Sequence, residues 1–94
     1  MDKTQALQLL DEAMHEFRRE SYRDLVTRIG QEPVTTERLG ADSTTYQLEI
    51  AFMWEHRPGG NVIVVGSIDD GGWRAFAPLT RSFIKAADES FVGE

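Results

Sequence analysis

The chain has two histidines, His15 and His56, 16 acidic residues and no cysteine. An imidazole can carry a proton near neutral pH or ligate a metal. A site using both histidines and a carboxylate would need distant segments to meet. His15 sits among Glu12, Glu16 and Arg19, which reads as a helix surface. His56 follows Glu55 at the end of an alternating run. Neighbours on a strand point to opposite faces, so Glu55 and His56 are not expected to form a dyad. The missing cysteines exclude a thiol nucleophile, disulfides and Cys-based zinc sites. No metal or other cofactor is expected.

Three further patterns look chemical and reduce to ordinary structure. Asp69-Asp70-Gly71-Gly72 lacks the spacing and distal Glu of a calcium loop, and the Lys-Ser/Thr ending of a phosphate loop. Asp and Gly between two β-rich runs instead meet the needs of a turn. Glu49 and Glu55 are carboxylates of the polar face of one run. Glycosidase chemistry needs two carboxylates across a cleft with one pKa raised, whereas an open sheet face leaves both solvated. The chain has no Gly-x-Ser-x-Gly elbow. No catalytic residue is assigned.

Trp54 and Trp73 fall at strand ends near turns. Their rings either seal the core or line a small ligand pocket with Tyr46, Arg57 and Arg74. Tyr46, Trp54, Trp73 and Arg74 are therefore the ligand-binding candidates. A third option is a dimer surface on the partly apolar outer strand face, through Ala51 and Met53 with Ile63 and Val65.

The elements follow from periodicity. Leu7, Leu10, Met14 and Phe17 recur at helical spacing, with Leu9 and Ala13 widening the stripe. Thr4 reads as the N-cap. Ser21-Tyr22-Arg23-Asp24 reads as a capping-box variant that starts a second helix or a kink. Gly30 stops it. Pro33 suits the start of an edge strand over Val34 to Leu39. Tyr46, Leu48, Ile50, Phe52 and Trp54 alternate with Gln47, Glu49, Ala51, Met53 and Glu55. That period of two marks a strand whose apolar face the first helix covers. Val62 to Val65 are consecutive apolar residues, so both faces of the next strand can be covered. A short strand is expected at Trp73 to Ala77. After Pro78, residues 79–86 fit either a strand or a helix, with a last hairpin preferred. The fold class is α+β: an amphipathic helix, with or without a short second one, on an antiparallel meander of three to five strands.

Ninety-four residues make one domain, spanning residues 1–94. The net charge is −6, and Lys and Arg are not clustered. Binding to a phosphate backbone relies on such clusters, so no nucleic-acid partner is expected. No run of 18 apolar residues occurs, so no membrane span is expected. The absence of cysteine and of a signal-type apolar run points to the cytoplasm. A domain this small gains buried surface by pairing, so a homodimer or a protein partner is expected.

The segment Phe17-Arg18-Arg19-Glu20-Ser21-Tyr22-Arg23-Asp24-Leu25 resembles the helix–break–short-helix opening of cystatin-like and nuclear-transport-factor-like folds. The resemblance implies a helical opening on a curved antiparallel sheet, and homodimerisation through that sheet. Enzymes of that class carry an Asp base and a Tyr or Asp oxyanion donor in a conical pocket. No residue here matches that motif, so none is carried over. The sequence thus leaves two functional expectations. One is a non-catalytic small bacterial domain acting through a protein partner or itself. The other is a small-molecule binder or enzyme with a pocket near the tryptophans.

Overall fold

Asp2 begins the first helix. Its side chain accepts the Gln5 amide N–H at 3.1 Å, and α1 runs Lys3–Arg18 in the computed structural model, which describes residues 1–72 and 77–94. The cap is therefore Asp2 and not the expected Thr4, which lies inside the first turn. Aspartate caps a helix at least as well as threonine, and its charge also suits the positive end of the helix dipole. Ser21 caps α2, Tyr22–Arg28, by accepting the Asp24 N–H at 3.1 Å. Ile29 is already extended, and Gly30 at φ +86° is the third residue of a type II turn in which the Gln31 N–H donates to the Arg28 carbonyl at 3.2 Å. The break read at Ser21 and the stop read at Gly30 are both present.

Four strands follow: β1 Val34–Leu39, β2 Thr45–Trp54, β3 Val62–Asp69 and β4 Leu79–Lys85. They lie in chain order, each antiparallel to the next. The architecture is α+β, with both helices on one face of an open sheet. The tail is a strand: β4 pairs with β3 from Ile68↔Leu79 to Val62↔Lys85. The helical alternative fails because Phe83 and Lys85 must alternate inward with Ser82 and Ile84 outward. A single bridge, Lys85↔Phe91, folds the end of the chain back on β4, as a last hairpin requires. The strand expected at Trp73 to Ala77 falls almost wholly outside the described residues.

The core is where the two periods meet. Tyr46, Leu48, Ile50 and Phe52 of β2, with Val62, Val64 and Ile68 of β3, face Ala6, Leu10, Ala13 and Met14 of α1. Leu7 is not among them. Residues 10, 13, 14 and 17 centre the buried stripe, and at 100° per residue Leu7 lies about 70° to one side of its middle while Ala6 lies within about 30° of it. Phe17 and Phe52 meet edge to face at 5.3 Å, worth about 0.5–1.5 kcal/mol beyond their burial.

Gly66 sets how closely the helix approaches. A Cβ there would lie 2.5 Å from Met14 Sδ, 2.9 Å from Leu10 Cδ1 and 3.1 Å from Ile50 Cδ1. Two of those atoms are the ends of α1 side chains, so a Cβ at 66 forces Met14 and Leu10 out of their packed positions over the sheet. Gly66→Ala is expected to lower stability by about 1–3 kcal/mol, the usual cost of overpacking. Urea unfolding of the two proteins measures it, and an unchanged midpoint would contradict the close seat.

Candidate functional site

The four ligand-binding candidates do not form one cluster in the described residues. Tyr46 stands near the start of β2 and is 0% exposed. Trp54 ends the same strand, half-buried against the core. Eight residues of strand separate them by about 27 Å. Trp73 and Arg74 lie outside the described residues. Arg57 is exposed in the β2–β3 turn.

Tyr46 belongs to a tightly packed corner. A Cβ on Gly40 would sit 2.7 Å from its ring, so the β1–β2 turn presses directly on the aromatic face. Gln5 holds that turn by accepting the Ala41 N–H at 3.0 Å. The Tyr46 hydroxyl is buried with no hydrogen-bond partner among the described residues. Burial, and then the Asp42, Asp2 and Asp70 carboxylates, push the phenol above its ordinary 10.0, while the nearby Asp2 backbone N–H, outside hydrogen-bond geometry, opposes them. The neutral phenol is therefore favoured in the folded chain. Its contribution is complete below about pH 10 and is lost as pH rises through the folded value.

The histidines are apart. His15 is exposed on the outer side of α1. His56 Nε2 lies 3.5 Å from Glu55 Oε1, so these two do approach, contrary to the alternation argument. Both follow the last residue of β2, where alternation no longer governs direction. The imidazole is 83% exposed and borders an open hollow of about 280 Å³ with Arg57, Gly60 and Asn61, a lining that does not include Glu55. Asp69 and Asp70 accept the Gly71 and Gly72 N–H groups at 2.8 and 3.0 Å, and Gly71 takes φ +81°. That is turn chemistry. No three His, Asp or Glu side chains converge as a metal site among the described residues.

Lys85 was not singled out from sequence, yet it is 6% exposed. Its Nζ donates to the carbonyls of Arg18 at 3.2 Å and Glu20 at 2.6 Å, the open C-terminal end of α1. Arg18 in turn lies 4.0 Å over the Phe91 ring and forks onto Glu94. These contacts tie the last residues to the helices and serve the fold. A lysine alternating with Arg81 on a half-polar strand gave no sign of burial in the sequence.

The sheet face away from the helices has two halves. The register places Ala51 beside Val65, Met53 beside Ile63, and Ile63 beside Ile84. Val92 joins them, since its N–H donates to the Ile84 carbonyl at 2.9 Å while Phe91 turns inward onto Phe83. Met53 is 43% and Val92 41% exposed. Ala51, Ile63, Val65 and Ile84 are half-buried. No helix among the described residues lies on this face. The other half is polar, with Gln47, Glu49, Ser67 and Asp69, and Gln47 donates to Glu37 at 2.9 Å. Sequence alone pointed to Ala51, Met53, Ile63 and Val65. Ile84 and Val92 were hidden by the helix-or-strand ambiguity of the tail.

Tyr46→Phe removes a buried hydroxyl that has no partner among the described residues. It is expected to leave stability unchanged or raise it by up to about 1–3 kcal/mol, and to move the onset of alkaline unfolding upward. Denaturant melts at pH 7 and a far-UV pH titration measure both. A clear loss of stability would show that the hydroxyl is bonded.

Compared with known proteins, the chain matches no family model, no curated protein and no solved structure.

Proposed function

We propose that the protein is a non-catalytic domain that works by association, and that the apolar half of its outer sheet face meets a second copy of the chain. The observation that carries this is the uncharged cluster of Ala51, Met53, Ile63, Val65, Ile84 and Val92 on a face over which no helix of the described residues lies. Two copies of net charge −6 repel wherever their carboxylates face one another. The cluster is an area where they can touch without such opposition. Both copies present the same residues, as a two-fold contact requires. Sheets stacked in this way pack about 10 Å apart through interdigitating side chains. The likeness to cystatin-like and nuclear-transport-factor-like domains belongs to the same reading, since it implies pairing through the sheet. So does a place in the bacterial cytoplasm.

Ile63→Glu buries a charge at the centre of such a contact and should leave the monomer fold intact, because residue 63 faces away from the core. Sedimentation velocity is expected to show a wild-type assembly and a variant reduced by one association step. Equal sedimentation of the two proteins, with matching circular dichroism, would refute the face contact.

A further inference from the structure

Strand β1 is an edge of the sheet, and no described residue pairs with its far side. Gly40 N–H donates to the Thr44 carbonyl at 2.8 Å across the β1–β2 hairpin. Antiparallel ladders alternate between bonded and non-bonded pairs. Val34, Thr36 and Arg38 therefore spend their backbone groups on β2. Thr35, Glu37 and Leu39 direct theirs outward. Behind this edge a groove of about 240 Å³ separates β1 from α1, lined by Ala13, Glu16, Phe17, Val34 and Arg38 over Ile50. Glu16 and Arg38 form no ion pair with another described residue. Leu39 is 70% exposed, an apolar side chain without cover.

The geometry points to a second copy of this chain pairing antiparallel along the β1 edge, on a two-fold axis centred at Thr36. The register follows from charge and from the outward groups. Centring on Glu37 sets Glu37 against its own copy, and centring on Arg38 does the same for arginine, both unfavourable. Centring on Thr35 aligns only Val34 to Thr36. Centring on Thr36 aligns Val34 to Arg38 with no like charges opposed. Thr35 and Glu37 of the two copies then exchange N–H···O bonds. Leu39 N–H meets the carbonyl of Pro33 in the other copy, and because proline has no N–H to return, the Leu39 carbonyl at the end of the ladder is left to solvent. The exposed Leu39 side chain packs on that proline.

The same register brings Arg38 of one copy opposite Val34 of the other, at the level of Glu16 on the groove wall. Two Glu16–Arg38 pairs between chains result. The axis runs perpendicular to the sheet, so the helices of both copies stay on one side and both outer faces on the other. This contact uses different residues from the face contact and stands without it.

The test is a charge exchange between chains, made in the Ile63→Glu background so that only edge pairing is read. Glu16→Arg and Arg38→Glu each place two like-charge pairs in the edge contact, and each is expected to weaken dimerisation by roughly tenfold or more. An equimolar mixture of the two variants is expected to recover dimers, because each pair across the contact then joins one glutamate to one arginine again. Sedimentation equilibrium reads the two variants and their mixture beside the background and a chain carrying both substitutions. Single variants that dimerise as well as the background, or a mixture no better than its components, would overturn the proposal. Recovery only when both substitutions share one chain would assign the pair to contacts within the monomer and overturn it too. If the face reading is wrong, Ile63→Glu simply behaves as wild type and the edge test is unaffected.

Discussion

Helix α1 seats on the sheet at the one buried position of β3 without a side chain. Gly66 lets Met14 and Leu10 descend onto the backbone of β3, where a Cβ would stand 2.5 and 2.9 Å from them. Everything on the helical side follows from that seat. Ala6 and Ala13 are small enough to flank the contact, while Phe17 reaches over to Phe52 at the far end. Lys85 closes the end of the helix from β4, and α2 then covers β2 with Leu25. A short chain thus builds its core in one layer of side chains between helices and sheet.

The same economy of cover leaves two surfaces without partners among the described residues. Two helices suffice for one face of four strands, and they favour the β2–β4 side. The outer face keeps Met53, Ile63 and Ile84 in view of solvent, and β1 keeps an unpaired edge beside a narrow groove. Apolar faces and free edges are what soluble domains ordinarily cover or blunt. Here Glu37 and Arg38 blunt the edge against most registers and admit one. The outer face is blunted only at its polar half. In the proposed assembly a second copy covers both, largely through residues at the margin of the core or outside it.

The helical opening and β2 were legible because their periods are strong and uninterrupted. Ser21 and Gly30 announced the helix break and stop through capping chemistry that depends on local sequence alone. Thr4 and Leu7 misled for opposite reasons. Asp2 competes for the same cap two residues earlier, and Leu7 satisfies helical spacing while lying at the margin of the stripe. Residues 79–86 allow either period, and only pairing with β3 decides between them. Lys85 shows the limit most clearly: its burial depends on carbonyls left open by a helix 65 residues away in sequence. Of the outer face, the portions on β2 and β3 were readable from alternation, and the portion on β4 was not. Tyr46 and Trp54 were paired in the reading because both are aromatic, but they share a strand and stand at its two ends.

The central claim is that the apolar half of the outer face is an interface between copies. An isotope-filtered NOESY experiment on an equal mixture of ¹³C-labelled and unlabelled chain tests it most directly. Contacts between chains are expected among the methyl groups of Met53, Ile63, Val65 and Ile84. A spectrum in which those methyl groups contact only their own chain would contradict the account.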